Sequence, residues 1–139
     1  MFVLDSRLQQ DSLVLGNFPL CQLLLSKDAN YPWFILVPRQ AGISELFDLS
    51  EADQQLLWQE TNYLAGALKA AFKADKMNVA TLGNVVSQLH MHVIVRRHDD
   101  AAWPAPVWGK VAALEYRQEQ LDDIRQRLRS VLNASYKEA

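Results

Sequence analysis

The sequence predicts an α+β fold with a mostly antiparallel five-stranded sheet, a long central helix and a C-terminal helix. Three apolar runs at residues 13–15, 20–25 and 33–37 follow one another through short turns, which favours an antiparallel meander. A long helical stripe begins after Ser50. Two further strands and a second amphipathic helix, residues 121–132, come after it. Strands and helices that are segregated in this way are typical of an α+β fold.

Length and charge limit the possible functions. The chain has 139 residues, which predicts one domain spanning residues 1–139. The formal net charge is -2, so no basic surplus favours a nucleic acid polymer as partner. Cys21 is the only cysteine and cannot form an internal disulfide. Without an apolar leader or an apolar run near 18 residues, we expect a cytoplasmic protein with no membrane partner.

Turn and cap residues mark the ends of several elements. Gly16 to Pro19 is expected to interrupt the first apolar run. The third run, residues 33–37, is apolar at every position, so both of its faces should be covered. Ser50 should cap the long helix, with Asp53 three residues later completing a capping-box-like pattern. The N-terminal residues 2–10 give only a weak helical signal.

The most informative stretch is residues 88–95, Gln-Leu-His-Met-His-Val-Ile-Val. Its alternation of apolar and polar side chains predicts a β-strand, the fifth in the sheet. The leucine, methionine and valines of this stretch should point into the core. Gln88, His90 and His92 should then stand in a row on the opposite face, each about 7 Å from the next.

Three interpretations of this histidine row are open. The histidines could be half-buried polar residues with ordinary hydrogen-bond partners. A metal site would need three or four ligands, and Cys21 and the distant His98 are poor candidates to complete one, so we expect neither a metal nor another cofactor. The third interpretation is nucleophilic catalysis, because a neutral imidazole can attack phosphorus while a neighbouring donor binds the phosphate oxygens.

The same residues resemble a known motif. Gln88-Leu89-His90-Met91-His92-Val93-Ile94 resembles the signature of the histidine triad (HIT) family, His-φ-His-φ-His-φ-φ, in which φ is apolar. Upstream, Asn17-Phe18-Pro19 and the apolar run ending in Pro38-Arg39 resemble the early hairpin of that family. The match covers about residues 12–97. A Trp-Pro-x-Pro-Val-Trp-Gly segment at 103–109 resembles a bacterial branch of the family that carries Gln-Leu-His-x-His.

The resemblance implies a function and three catalytic residues. It implies a homodimer that transfers or hydrolyses nucleotidyl groups at the α-phosphate of nucleoside phosphoramidates, dinucleoside polyphosphates or similar conjugates. His90 would attack phosphorus and form a nucleotidyl-histidine intermediate. His92 would contact the phosphate oxygens, and Gln88 would orient His90 or the leaving group.

The resemblance also implies three residues that bind the substrate. Asn17 in the first hairpin would help to hold the nucleotide. Asn84, and as the second choice Ser87, would donate to the phosphate from the loop before the motif.

Two departures from the family pattern support an alternative function. Gln88 replaces the first histidine and cannot titrate near neutral pH. The sequence reads Pro32-Trp33 where many members carry a histidine. With these supporting histidines missing, the alternative is a nucleotide-binding or sensing protein with little turnover. Trp103 and Trp108 could wall a nucleotide pocket or fasten their proline-rich loop to the sheet.

Overall fold

The fold is known from a computed structural model, which describes residues 1–139 and contains one six-stranded sheet. The strands are β1 Ser12–Asn17, β2 Cys21–Ser26, β3 Trp33–Pro38, β4 Lys76–Ala80, β5 Met91–Arg96 and β6 Lys137–Glu138. The helices are α1 Ser6–Asp11, α2 Glu51–Phe72 and α3 Gln118–Val131, with a short 3-10 helix at Leu46–Asp48. The order across the sheet is β4-β5-β3-β2-β1-β6, and every neighbouring pair is antiparallel. The predicted α+β class is therefore confirmed.

The sheet has one strand more than the five predicted. β6 contains two residues and pairs with the end of β1, where Gly16 lies opposite Glu138. A Cβ atom at position 16 would lie 2.4 Å from the carbonyl oxygen of Lys137, so only glycine allows this approach. β1 consequently continues through Gly16 instead of ending before it, and its register shifts between Val14 and Gly16.

The long helix α2 covers one face of the sheet. The hydroxyl of Ser50 accepts a hydrogen bond from the backbone N–H of Asp53, which confirms the predicted cap. The buried residues of α2 include Leu57, Leu64 and Leu68. These join one cluster with side chains of alternate positions in β5 and of α3: Met91, Val93, Val95, Ile124 and Leu128. This cluster is the main hydrophobic core.

The opposite face of the sheet, which carries His92, is also buried. The N-terminal segment, residues 1–11, packs Leu4 and Leu8 against Leu24, Ile35 and Val37. Farther along, Tyr31 and Ile94 pack with Ala102 and Val107 of the proline-rich loop, residues 101–109. Every residue of β5 is therefore buried, whereas the alternation of β5 predicted one core face and one polar face.

Candidate functional site

The two histidines of the motif lie close together at the start of β5. His92 is within the strand, opposite Ile35 of β3 and Ala80 of β4. His90 immediately precedes the strand. Their ring centroids are 4.9 Å apart with the planes nearly perpendicular, and both residues are about 5% exposed. The predicted pairing of these two imidazoles is therefore present in the folded chain.

A backbone contact selects the tautomer of His90. Its Nδ1 lies 2.7 Å from the carbonyl oxygen of Gln88. A carbonyl oxygen can only accept, so Nδ1 must carry the hydrogen and donate it. In the neutral ring, Nε2 then keeps its lone pair, which is the state required of a nucleophile.

An indole contact selects the opposite tautomer for His92. Trp33 donates its Nε1–H to Nδ1 of His92 at 2.9 Å. Indole nitrogen is a donor only, so Nδ1 of His92 is unprotonated and Nε2 carries the hydrogen. Burial, with a smaller contribution from His90, lowers the pKa of His92 from 6.5 to about 3. His92 is consequently a neutral N–H donor across the physiological pH range.

Both histidines line a cavity of about 470 Å³. Trp33 and Trp108 form an aromatic wall, with ring centroids 5.5 Å apart and Trp108 4.9 Å from the His92 ring. The remaining lining residues come from the N-terminal segment, the first two strands, Ile35 of β3 and the loop before the motif: Leu8, Asp11, Ser12, Ser26, Ile35, Leu82, Asn84, Val85 and Val86. Asp11 is the only one with a charged side chain. The walls of the cavity are thus largely apolar, with a few hydrogen-bonding groups.

Of the four other predicted site residues, only Asn84 lines this cavity. Ser87 and Gln88 face a separate surface depression, where the side-chain amide of Gln88 is hydrogen-bonded to the N-terminal segment. Asn17 lies at the far end of β1, three strands away from β5 in the sheet, and its Oδ1 is buried without a hydrogen-bond partner. Asn17 and Ser87 were predicted to contact nucleotide, but neither of them lines this cavity.

The cavity also uses residues that the sequence reasoning did not assign to it. Ser12 and Ser26 are cross-strand partners at the open end of the first hairpin, and Asp11 precedes them. Their positions depend on strand register, which the sequence pattern does not give. Trp33 could have been assigned to the site from the sequence, since it occupies the position where many family members have a histidine.

The two tryptophans of the proline-rich loop have different surroundings. Trp108 lines the cavity, whereas Trp103 lies over the guanidinium of Arg96 at 5.5 Å. Arg96 is 1% exposed and is held by Asp100 at 2.8 Å and by Asn78 at 2.7 Å. Arg96 therefore holds the proline-rich loop in place beside the cavity, but it does not line the cavity.

Known proteins resemble this chain over most of its length. The model of the HIT domain family matches residues 7–99. The chain belongs to the HIT family. A histidine triad protein from Bradyrhizobium japonicum is 44% identical, with a TM-score of 0.93 over 95% of this chain and 98% of that chain. Histidine triad proteins from Sinorhizobium meliloti and Marinobacter aquaeolei are 45% and 46% identical, with TM-scores of 0.92 and 0.91. The first covers 95% of this chain and 98% of its own, the second 95% and 96%.

None of the curated proteins matches the chain. HIT proteins generally bind or hydrolyse nucleotides. The structure brings no three His, Cys, Asp or Glu side chains together in an arrangement that could hold a metal ion. No helix has both the length and the apolar character that a membrane span requires.

Proposed function

We propose that the protein is a nucleotide hydrolase or nucleotidyl transferase that acts at the α-phosphate of nucleotide conjugates through His90. The observation that carries this proposal is the contact between Nδ1 of His90 and the Gln88 carbonyl oxygen. It leaves Nε2 as a lone-pair nucleophile in a cavity of nucleotide size. The contact uses backbone, so it does not require a histidine at position 88.

The proposed reaction has two displacement steps. In the first, the lone pair of His90 Nε2 forms a bond to phosphorus, and the bond from phosphorus to the leaving group breaks. The leaving group keeps the bonding electron pair and takes a proton from water. The imidazole then bears a positive charge, which the Gln88 carbonyl stabilises through the Nδ1–H. In the second step, water or another acceptor attacks phosphorus, loses its proton to solvent, and returns the electron pair to His90.

His92 and Asn84 are the proposed donors to the phosphate oxygens. His92 offers Nε2–H because its other nitrogen is occupied by Trp33. Asn84 offers a side-chain amide from the loop that lines the cavity. Donors that are already oriented stabilise the charge that develops in the transition state without reorganisation.

The lining also favours one class among the candidate substrates. It contains no lysine or arginine, and its one charged residue is Asp11. A nucleoside phosphoramidate carries a single negative charge at the reacting phosphorus, whereas a dinucleoside polyphosphate carries several. Because several charges beside the buried His90 and His92 would need cationic partners, we favour the phosphoramidate. The base would stack on Trp33 and Trp108.

One observation favours the alternative of a nucleotide-binding or sensing protein. The side-chain amide of Gln88 is hydrogen-bonded to the N-terminal segment through both Oε1 and Nε2 and does not line the cavity, so it is not placed to assist the leaving group. Binding without turnover would then be the biological activity. The homodimer implied by the family resemblance is part of both proposed functions, the enzyme and the sensor. Sedimentation velocity would test it.

Mass spectrometry separates these functions. After incubation with adenosine 5′-phosphoramidate or a dinucleoside polyphosphate, the wild-type protein should carry a nucleotidyl adduct on His90, while His90→Ala should carry none and be inactive. His98→Ala is the matched control, because His98 is exposed and outside the cavity. Full activity in His90→Ala would refute the proposed nucleophile. Nucleotide binding without adduct or turnover would favour the sensor.

A further inference from the structure

The side-chain amide of Gln88 is hydrogen-bonded in both directions to the N-terminal segment. Its Oε1 accepts from the backbone N–H of Asp5 at 2.8 Å, and its Nε2 donates to the carbonyl oxygen of Val3 at 2.9 Å. The two partners lie 83 and 85 positions away in the sequence. A glutamine amide presents a donor and an acceptor side by side, as the backbone N–H and C=O of one residue in a β-strand do. It can therefore bind this segment as a neighbouring strand would.

The segment that Gln88 holds forms part of the cavity wall. Leu4 and Leu8 pack on the sheet face that carries His92, and Leu8 and Asp11 line the cavity itself. Asp5 is also the N-cap of α1, since its carboxylate accepts from the backbone N–H of Arg7. The contact with Gln88 is thus made at the start of the helix that lines the cavity.

We infer that Gln88 is a positioning residue for substrate binding. Its side chain holds the N-terminal segment as a fixed wall of the cavity and takes no part in the chemical step. The nature of the ligand rests on the proposed function, but the mechanical role of Gln88 does not. The tautomer of His90 depends on the backbone carbonyl of residue 88, so a change of side chain leaves it intact. Nucleotide affinity should therefore depend on this side chain, and the rate of the chemical step should not.

Steady-state kinetics with adenosine 5′-phosphoramidate test this split. Gln88→Ala removes both hydrogen bonds, and Gln88→Met removes them while keeping the length of the side chain. We expect KM to rise between about fivefold and about 30-fold, since these are the effects of losing one and two net hydrogen bonds, with kcat within about twofold of wild type. Gln10→Ala is the matched control, because Gln10 lies in α1 but is exposed and makes no side-chain hydrogen bond. It should leave both constants unchanged.

Amide hydrogen exchange gives a second readout that does not depend on activity. In both Gln88 variants, the amides of residues 3–11 should exchange faster, while those of β2 and β3 keep their wild-type protection. A merely destabilising substitution would instead speed exchange throughout the sheet. The kinetic split and the local exchange together identify a positioning role.

Three results would overturn the inference. They are a fall in kcat at unchanged KM, unchanged KM with unchanged exchange in residues 3–11, and faster exchange spread over the whole sheet in both variants. If the wild-type protein turns over no nucleotide conjugate, the proposed function fails separately. In that case calorimetry with adenosine 5′-monophosphate replaces the kinetics. Weaker binding by Gln88→Met together with faster local exchange would support the inference, and unchanged binding would refute it.

Discussion

Acid should destabilise this protein through His92 in particular. The pKa of His92 is lowered in the folded protein from 6.5 to about 3, first by burial and then by the neighbouring His90. Between these two pH values the unfolded chain binds a proton at His92 that the folded protein does not. The free energy of unfolding therefore falls as the pH falls from 6.5 towards 3. Well above pH 6.5, His92 is unprotonated in both the folded and the unfolded state, and no stability is lost through it.

The size of the effect follows from the two pKa values. For one group with these values, the linkage relation gives a loss of about 2 kcal/mol between pH 7 and pH 5. At pH 5 the folded protein is almost unprotonated at His92, so the loss is set by the unfolded chain and changes little if the folded pKa is 3 or 4. The glutamine in His92→Gln does not titrate, so this variant should lose about 2 kcal/mol less than wild type over the same interval.

Urea denaturation at pH 7 and pH 5 measures the difference. His98→Gln is the matched control, because the side chain of His98 is 69% exposed. Its loss of stability should follow that of wild type. Equal losses of stability in wild type and His92→Gln between the two pH values would show that His92 does not cause the acid sensitivity. A larger protection by His98→Gln would show the same.

Three further predictions concern single contacts around the site and the core. Trp33→Phe should lower kcat/KM about fivefold in steady-state assays, because it removes a bond of about 1 kcal/mol that selects the His92 tautomer; an unchanged value would refute this role. Glu60→Gln should cost about 1–3 kcal/mol in urea denaturation, because the buried Glu60 carboxylate accepts from two backbone N–H groups and an amide can accept only through one oxygen. Asp100→Ala should cost about 3–5 kcal/mol, since the buried Arg96 loses its ion pair, and a loss below about 1 kcal/mol would contradict that account.

Local patterns were enough to predict most of the fold. The meander follows from three apolar runs and the turns between them, and the start of α2 follows from Ser50 and Asp53. β6 could not be predicted, because two residues carry no periodicity and their pairing depends on Gly16 in a distant strand. The burial of the His92 face also depends on contacts distant in sequence, since the N-terminal segment covers it.

The candidate site was predictable where it depends on spacing within one strand. His90 and His92 come together because alternate residues share a face, which the sequence shows directly. Trp33 and Ser26 come to the cavity through the register between strands, and register is decided by the assembled sheet. Asn17 illustrates the same limit, because a hairpin asparagine that fits the family pattern lies three strands from β5.

Position 88 shows why a missing motif residue need not remove a mechanism. In the sequence, Gln88 is the departure that casts doubt on catalysis, because glutamine cannot titrate. In the structure, the group that orients His90 is the carbonyl of residue 88, which every amino acid has. The side chain at this position is therefore free to serve another purpose, and its amide binds Val3 and Asp5. A substitution that keeps the backbone path should then preserve the orientation of His90, the proposed nucleophile, while changing the contacts that hold the cavity wall.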